Sequence, residues 1–406
     1  MRLRKNSISR RLFLKQTLFT VAFLSSLTKP LSVFASQSLI QLSDFGNLVK
    51  RKVLGFIDSP EAYQQNIQNG RDVHPRGTAH TCMGQSLKNN AFVFSAEPLD
   101  MTFDGENVTA SASTTLYEID QFLEQHGYML PVSPDYRVMS LGGVLGVGGF
   151  DISSSFMSGL VEHIVSMTIL NPEGELKKDV PTEDIEAQKM LCGLGEHGAI
   201  LSAKIKCIKK PKQTAFKRSY FETPNDYIEL LQKTLNENDS VLACAGWSNR
   251  KPWIDLGHYS YSNKFEDSFL EEPELIKDIR SYKKDRVDKW VYRKPYKHFV
   301  WSDHFVPIDQ AVSQINRGLE LKDKITEMGA EVGLYSYVVK ANKDVEHFPH
   351  YHPESDYLIS VGVYSNFLAD QKEMAEKVSQ MQLSYSRESQ KEENAKPYKY
   401  GWYSKD

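Results

Sequence analysis

The sequence predicts an α+β protein that is divided into two domains. Its 406 residues, of ordinary composition, exceed what one compact core usually holds, so about two globular domains are expected. From residue 53 onward, short apolar runs alternate with helix-like segments, and the first of them form a β-α-β unit. After KKPK at residues 209–212, aromatic and charged residues alternate. We therefore expect one domain over residues 50–208 and a second over 209–395.

The elements of the first domain follow from start and stop signals in the chain. A strand begins at Val53, and Ser59 with Pro60 begins a helix because a serine N-cap followed by proline is a favoured first turn. Gly70 ends that helix, and a second short strand ends at Pro75. The further predicted elements are strands at 92–94, 108–112, 129–132 and 199–207, helices at 116–126 and 183–191, and a hairpin of 164–170 with 176–178.

The first 35 residues have the features of an export signal. SRRLFLK at residues 9–15 places paired arginines before an apolar stretch at 18–27, and VFA at 33–35 suits cleavage after a small residue. A basic first turn of a surface helix is the alternative. The apolar stretch is short for a membrane span, so no stable membrane insertion of the mature chain is expected. We expect a bacterial protein that the twin-arginine export machinery delivers, folded around a cofactor, to the periplasm or the exterior.

Composition and spacing argue against several other classes of protein. The formal net charge is -3 and the basic residues are scattered, so nucleic acid is not expected as a partner. The four cysteines (Cys82, Cys192, Cys207 and Cys244) have no CxxC spacing and indicate buried thiols. HFPHYHPE at 347–354 holds three histidines, but its prolines prevent helical ligand spacing, so a solvated loop is favoured over a zinc or copper site.

Three glycine-rich segments of the first domain indicate a site for a large phosphate-bearing ligand. They are RGTAHTCMGQS at 76–86, PDYRVMSLGGVLGVGGF at 134–150 and GLGEHGAI at 193–200. Glycine lets the backbone approach a ligand closely and turn its N–H groups toward a phosphate. Glycine clusters also mark ordinary turns, but three in one domain favour a dinucleotide site. The sequence has no Gly-x-Gly-x-x-Gly after the first strand and no Walker loop, so the site is neither a Rossmann nor a P-loop site.

These segments resemble those of cytokinin dehydrogenases, which are FAD-binding PCMH-type flavoproteins of the vanillyl-alcohol-oxidase group. The matching motifs are RGTAHT at 76–81 with GQS at 84–86, DY at 135–136 with SLGGVL at 140–145, CGLGEHGAI at 192–200, and WSDHFVP at 301–307. They run in family order from about residue 53 to 310 and more thinly beyond. The resemblance implies a two-domain PCMH-type FAD-binding fold, with an α+β substrate domain built on an antiparallel sheet.

The resemblance also implies roles for individual residues. His80 matches the histidine that bonds covalently to the flavin 8α-methyl group, and a neutral imidazole is a competent nucleophile there. An ordinary loop histidine is the alternative. The residues that match positions lining FAD are Pro75, Arg76, Gly77, Thr78, Ala79, His80, Thr81, Gln85, Ser86, Asp135, Ser140, Gly146, Phe150, Ile200 and Tyr398.

Two carboxylates are the predicted catalytic residues. Asp135 would take or orient an N–H or O–H proton while a hydride passes to the flavin, whereas an Asx-turn aspartate is the alternative. Asp303 stands where the resembling motif has asparagine and, with Trp247 or Trp301, is a candidate to line a pocket for a planar compound. No glutamate precedes CAGWSN at 244–249, where the plant enzymes place one against adenine, so adenine recognition stays open.

Two functions are compatible with the sequence. The first is an FAD-dependent oxidoreductase, similar to cytokinin dehydrogenase, that oxidises a small amine of the N6-alkyl adenine type or an alcohol and passes electrons to oxygen or a quinone. The second is a catalytically impaired or non-catalytic protein that binds FAD or a small molecule. The second is kept because residues 396–406 are expected to begin a return to the FAD domain that is cut short.

Overall fold

The protein contains separate parallel and antiparallel sheets, which contribute different parts of the site. The structure is a computed structural model that describes residues 39–247, 251–261, 270, 273–276, 295–399 and 401. The strands of this part of the chain are β1 (Ile40–Ser43), β2 (Lys50–Val53), β3 (Gly55–Ile57), β4 (Val73–Pro75), β5 (Phe92–Phe94), β6 (Thr102–Phe103), β7 (Asn107–Ser111), β8 (Tyr128–Met129), β9 (Ile164–Leu170), β10 (Leu176–Pro181), β11 (Ala199–Lys206), β12 (Ile208–Lys209), β13 (Gln213–Tyr220), β14 (Leu242–Trp247), β15 (Trp253–Ser260), β16 (Glu274–Ile276), β17 (His298–Pro307), β18 (Glu331–Lys340), β19 (Tyr357–Phe367) and β20 (Lys396–Pro397). The helices are α1 (Pro60–Gln68), α2 (Leu116–Glu124), α3 (Leu141–Leu145), α4 (Ser154–Met157), α5 (Ile185–Met190), α6 (Pro224–Glu237), α7 (Ala311–Glu327) and α8 (Lys372–Glu393), with 3₁₀ turns at Leu160–His163 and Ala369–Gln371.

A small parallel sheet opens the described chain after the β1–β2 hairpin. β3 and β4 both pair in parallel with β5, which lies between them, and α1 connects β3 to β4. The Ser59 hydroxyl accepts from the Ala62 N–H at 3.2 Å, and Pro60 stands at the first helical position, so local capping fixes the start of α1. This arrangement delivers the chain, at the end of β4, directly into the segment at 76–86.

A five-stranded antiparallel sheet carries the other two glycine-rich segments. Its strand order is β10-β9-β11-β7-β6. α2 buries Leu116, Ile119 and Leu123, a spacing that lays one apolar stripe on the core of this part of the chain. α3 contributes Leu141 and Leu145 to the same core.

A larger sheet dominates the second half of the described chain. Its eight strands run in the order β16-β13-β15-β14-β18-β19-β17-β20, and each neighbouring pair is antiparallel. α7 packs against β18 and β19, and α8 packs chiefly against β17. Strand β17 is buried along its whole length, as expected for a strand with another layer on each face.

The two faces of β17 have different partners. Because side chains alternate along a strand, Trp301, Asp303 and Phe305 lie on one face and His304 lies on the other. Phe305 contacts Phe150 from the first half of the chain, with ring centroids 5.0 Å apart. On the opposite face, His304 Nε2 lies 2.9 Å from the Ser386 hydroxyl of α8. The first face therefore points toward the glycine-rich segments.

Direct contacts join the two halves of the described chain. The Ala243 N–H donates to the Ile152 carbonyl at 3.2 Å, and the Ser158 hydroxyl donates to the Lys340 carbonyl at 2.9 Å. His350 Nε2 lies within hydrogen-bond distance of Glu162 Oε1, at 2.7 Å. The described residues, from Leu39 onward, belong to one compact unit. A site assembled from both halves is therefore held by packing as well as by chain connectivity.

The predicted α+β class and the antiparallel sheet of the second half are confirmed. The β-α-β unit is also confirmed, and the remaining predicted elements of the first half agree with the observed ones within a few residues. Helix α3 of this half was not predicted: it forms within the glycine-rich segment at 134–150, with Ser140 as N-cap. The predicted export signal at 1–35 lies outside the described residues.

Two further expectations concern thiols and membranes. Cys82, Cys192, Cys207 and Cys244 are all buried and unbonded to one another, so the prediction of buried thiols is confirmed. Within the described part of the chain, no helix combines the length and the apolar character that a membrane span requires.

Candidate functional site

The three glycine-rich segments come together around one cleft. The cavity volume of this cleft is about 100 Å³, and the cleft is open to solvent. Its walls come from the end of β4 and the following loop, from β5, from α3 and from the segment that leads into β11. The lining residues are Pro75, Arg76, Gly77, Thr81, Gln85, Ser86, Phe94, Ser95, Ala96, Ala112, Ser113, Gly142, Gly143, Gly146, Val147, Met190, Leu194, Gly195, Gly198 and Ile200. We call this the glycine-lined cleft.

The backbone segments of this cleft lie too close together for side chains at certain positions. A Cβ atom built at Gly77 would overlap the Ser140 hydroxyl. At Gly142, a Cβ would lie 2.9 Å from the Ala112 Cβ, closer than real Cβ atoms approach. These glycines are required by close approach of one backbone segment to another, and the same absence of side chains leaves peptide groups along the cleft.

Many of the predicted cofactor-binding residues lie in this cleft. Pro75, Arg76, Gly77, Thr81, Gln85, Ser86, Gly146 and Ile200 all line it. Thr78 and Ser140 connect two of its segments, because the Ser140 N–H donates to the Thr78 hydroxyl at 3.1 Å. The Ser140 hydroxyl is buried and makes no hydrogen bond to any described residue. A buried hydroxyl without a partner at this position suits a polar ligand group.

His80 lies beside an aromatic cluster at one side of the loop formed by residues 76–86. Ala79 has a left-handed backbone (φ 64°), which costs about 1–2 kcal/mol for a residue with a Cβ and turns the chain sharply before His80. His80 stacks on Phe45 with centroids 5.2 Å apart, and His80 Nδ1 lies 3.3 Å from the Thr78 hydroxyl. Burial lowers the pKa of His80 to about 4. The imidazole is therefore neutral at physiological pH and keeps a lone pair for bond formation.

The two predicted catalytic carboxylates reach the same region from different halves. Asp135 precedes Tyr136, whose ring centroid lies 5.8 Å from that of His80 and 5.7 Å from that of Trp301. Asp303 lies two residues beyond Trp301 on the same face of β17. Burial raises the pKa of Tyr337 well above its usual value, and the nearby charges of Asp303 and Asp135 both add to that shift. We call Phe45, His80, Asp135, Tyr136, Trp301 and Asp303 the aromatic–carboxylate cluster.

The two carboxylates differ in what surrounds them. Asp303 is 1% exposed and accepts a hydrogen bond from the Tyr364 hydroxyl, with the Ser360 hydroxyl 3.5 Å from the same oxygen. In contrast, Asp135 Oδ1 is buried and has no hydrogen-bond partner among the described residues. A buried carboxylate oxygen without a partner is costly. Asp135 is therefore the carboxylate with an oxygen available to a ligand.

Phe150 and Tyr398, both predicted to lie against the flavin, belong to a smaller aromatic group. Their ring centroids are 5.1 Å apart, and each also contacts Phe305 of β17. The Tyr398 N–H donates to the Asp303 carbonyl at 2.9 Å, so β20 and the residue after it are fixed beside Asp303. Neither Phe150 nor Tyr398 lines the glycine-lined cleft.

The Gln85 side chain forms hydrogen bonds with the end of the described chain. Its amide nitrogen donates to the carbonyl oxygens of Lys399 at 3.0 Å and Gly401 at 2.9 Å, and its amide oxygen accepts from the Met83 N–H at 3.0 Å. The resemblance implied that Gln85 binds the cofactor. The structure instead gives all three of these hydrogen bonds to protein groups, although Gln85 still borders the cleft.

Sequence reasoning missed two contributors to the site. Phe45 lies in the β1–β2 turn, between the predicted export signal and the first predicted strand, and a lone aromatic residue in a turn gives no functional signal. Tyr364 reaches Asp303 from β19, because Trp301 pairs with Tyr364 and Asp303 with Gly362 across the sheet. Strand register, which the sequence does not reveal, makes this contact.

The three histidines of the segment at 347–354 have separate partners. His347 Nε2 lies 2.9 Å from the Gln188 carbonyl, and His350 is paired with Glu162. His352 Nδ1 accepts from the Ser355 N–H at 2.9 Å. Across the described residues, no group of three or more His, Cys, Asp or Glu side chains is arranged to hold a metal ion.

Comparison with known families agrees with the geometry of the first half. Residues 60–179 match the family described as "FAD binding domain". These 120 of the 406 residues are similar to that domain, and we refer to them as the FAD-binding domain. It includes β4, the loop that carries His80, and α3, and therefore much of the wall of the glycine-lined cleft.

Three known proteins are similar to parts of this chain. The chain is 26% identical over 208 residues to the Delta(24)-sterol reductase homolog dhcr-24 of Caenorhabditis elegans, which is 48% of this chain and 38% of that protein. It is 31% identical over 103 residues to D-arabinono-1,4-lactone oxidase of Saccharomyces cerevisiae, which is 25% of this chain and 19% of that protein. An uncharacterized oxidoreductase, ORF5 in the fasciation locus of Rhodococcoides fascians, is 23% identical over 173 residues, 40% of each chain. The chain thus spans less than half the length of these relatives.

The residues of the FAD-binding domain fit the cofactor that the family binds. The glycine-lined cleft offers exposed peptide groups for phosphates, the unpartnered Ser140 hydroxyl and the Arg76 guanidinium. His80 provides a neutral imidazole beside it, and Asp135 an available carboxylate oxygen. When bound, FAD would supply the capacity to accept a hydride, which none of these side chains has.

Proposed function

We propose that the protein is an FAD-dependent oxidoreductase that accepts a hydride from a small amine or alcohol. The observation that carries the proposal is the convergence of His80, Asp135 and Asp303 on one aromatic–carboxylate cluster next to the FAD-binding domain. His80 comes from the loop after β4, Asp135 from the segment before α3, and Asp303 from the large sheet. A binding module would have no evident need for a buried carboxylate with an unpartnered oxygen at this point.

In this proposal, Asp135 acts as the base. Its Oδ1 accepts the N–H or O–H proton of the donor as the adjacent C–H bond loses its hydride. Asp303 orients the same substrate group, because the Tyr364 hydroxyl and the Ser360 hydroxyl fix the position of its carboxylate. The ring of Trp301 is buried beside them and supports a planar substrate. Burial of Trp301, of Asp303 and of the Asp135 Oδ1 atom limits the water that would compete for the proton.

The finer assignment is a cytokinin-dehydrogenase-like activity on an N6-alkyl adenine, with FAD bonded to His80. Motifs at 76–86, 135–145 and 301–307 support it, as do the neutral state of His80 and the aromatic residues of the cluster. Oxygen or a quinone would then reoxidise the flavin.

We further propose that residues 1–35 direct twin-arginine export to the periplasm or exterior. Replacing both Arg10 and Arg11 by lysine should then abolish export, as measured by cell fractionation.

The decisive experiment is an absorption spectrum of the full-length protein followed by acid precipitation. A yellow protein whose colour stays in the precipitate supports covalent FAD, and His80→Ala should move the colour to the supernatant. Mixing anaerobically with isopentenyladenine, and separately with a panel of small alcohols, then tests which donor bleaches the oxidised flavin band. A folded, colourless protein made with ample riboflavin would refute the proposal and favour the non-catalytic alternative.

A further inference from the structure

The turn between β1 and β2 reaches His80 from outside the three glycine-rich segments. Phe45 stacks on His80 with ring planes at 30°, and the Phe45 N–H donates to the Thr81 carbonyl at 3.0 Å. Phe45 also stacks on Phe299 of β17, and more closely, with centroids 4.3 Å apart and planes at 14°. Phe45 therefore links the His80 imidazole to the large sheet.

The backbone of this turn is fixed on both sides. A Cβ at Gly46 would lie 2.7 Å from the Cys82 carbonyl oxygen and 2.8 Å from the Phe299 carbonyl oxygen, so the turn is wedged between the His80 loop and β17. The Phe299 N–H donates to the Gly46 carbonyl at 3.3 Å. On the other flank, the Arg76 guanidinium donates to the Ser43 carbonyl at 2.7 Å. The position of Phe45 is therefore determined by its surroundings and not by the turn alone.

We propose that Phe45 is a positioning residue that holds the His80 imidazole in the orientation from which it bonds to the flavin. The inference rests on the proposed attachment at His80. In that reaction the imidazole nitrogen forms a bond to the 8α carbon, while the methyl C–H bond and the imidazole N–H bond are broken. The electron pair and both protons pass to dioxygen, which leaves as hydrogen peroxide.

Stacking acts on this reaction in two ways. It restricts the rotation of the His80 ring, so that the nucleophilic nitrogen spends more time in one direction. It also shields the ring from water, which keeps the imidazole neutral, in keeping with the lowered pKa of His80. A purely structural Phe45 would affect folding stability and total FAD content, but would leave the rate at which bound FAD becomes covalent unchanged.

The test compares four full-length chains: wild type, Phe45→Ala, Phe45→Tyr and Phe56→Ala. Phe56 is 57% exposed on β3, so its replacement is a matched phenylalanine control. Apo protein is mixed aerobically with FAD, and acid-precipitable flavin is followed over time beside total bound flavin and thermal stability. We expect Phe45→Ala to bind FAD but to bond to it at least about 10-fold more slowly, the loss expected when orientation is relaxed. Phe45→Tyr, which keeps the flat ring, and Phe56→Ala should match wild type.

Each other outcome has a defined meaning. If Phe45→Ala bonds to FAD at the wild-type rate, the positioning role is wrong while the attachment at His80 stands. If wild type binds FAD and never bonds to it, the attachment at His80 fails, and the role of Phe45 fails with it. If Phe45→Ala does not fold, Phe45→Leu replaces it: slower bonding than in Phe45→Tyr supports the stacking role, and an equal rate overturns it.

Discussion

The glycine-lined cleft and the aromatic–carboxylate cluster adjoin each other but are built by different means. The cleft is formed by backbone segments that touch where side chains are missing, as at Gly77 and Gly142. The cluster is formed by side chains, and two of them, Trp301 and Asp303, stand on β17, which is buried along its length. Ligand binding in a cleft built from backbone should be sensitive to any added atom. A site on a rigid sheet should instead tolerate isosteric substitutions, so that their effect on the reaction rate reflects the lost chemical group and not a change of structure.

The largest effect is expected from Asp135→Asn, which changes the cluster without changing its volume. If Oδ1 is the base, flavin reduction should slow by about 10²–10⁴-fold while the colour of the protein remains. Stopped-flow reduction under anaerobic conditions measures the rate. Asp303→Asn is the matched control, because the Tyr364 and Ser360 hydroxyls already donate to an oxygen of the Asp303 carboxylate. We expect this variant to change the substrate KM more than the rate of flavin reduction. If Asp303→Asn slows flavin reduction more than Asp135→Asn does, Asp303 is the base and Asp135 is the residue that orients the substrate.

The opposite face of β17 should affect stability and not chemistry. Burial lowers the pKa of His304 to about 3, whereas an unfolded histidine titrates near 6.5. Between these values the unfolded chain binds a proton that the folded chain does not, so stability falls as pH decreases from about 6.5 toward 3. His304→Asn should therefore flatten the loss of unfolding free energy between pH 7 and pH 4, by on the order of 1–3 kcal/mol.

Urea unfolding at several pH values, on wild type, His304→Asn and the exposed-site control His197→Asn, measures this slope. Asp44 acts in the opposite direction, because burial raises its pKa to about 7 and favours its protonated form in the folded state. That contribution is present in all three proteins and cancels in the comparison. Equal slopes in wild type and His304→Asn would show that His304 does not titrate on acid unfolding in this range.

The cleft can be tested by adding a single methyl group. Gly77→Ala would bring a Cβ into the Ser140 hydroxyl, and relief of that overlap by backbone movement should weaken FAD binding by about 10–100-fold, since overpacking costs about 1–3 kcal/mol. Ser140→Ala removes the hydroxyl and leaves a Cβ 3.3 Å from the new methyl group, so the double variant should recover most of the affinity that Ser140→Ala alone retains. Gly55→Ala, whose Cβ would meet only Phe92 ring atoms at 3.4 Å or more, is the control. Failure of the double variant to recover would mean that Gly77 serves the ligand directly.

The same contrast explains what could be predicted from the sequence. α1, with its Ser59 cap and Pro60, and the hairpin of β9 and β10 follow from local signals, and they were predicted at nearly their observed bounds. The cleft was predictable because close backbone approach leaves a visible trace of glycines. α3 was not predicted, because the glycines within it indicate a turn and not a helix. The contacts of Phe45 with His80 and of Tyr364 with Asp303 depend on packing and register across distant segments, for which the sequence has no local signal.

The smallest effect is expected where the cleft meets the end of the described chain. Gln85→Ala removes two hydrogen bonds to the Lys399 and Gly401 carbonyls and one from the Met83 N–H, which should lower the unfolding free energy by about 1–3 kcal/mol. Because β20 and Tyr398 lie beside Asp303, the loss should also expose residues near 399 to limited proteolysis, read by mass spectrometry of the fragments. Gln85→Glu should be worse than alanine, since its carboxylate would face two carbonyl oxygens, whereas the exposed Gln65→Ala should behave as wild type. Proteolysis unchanged in both Gln85 variants would mean that β20 pairing alone holds this segment, and that the aromatic–carboxylate cluster does not depend on the cleft for its closure.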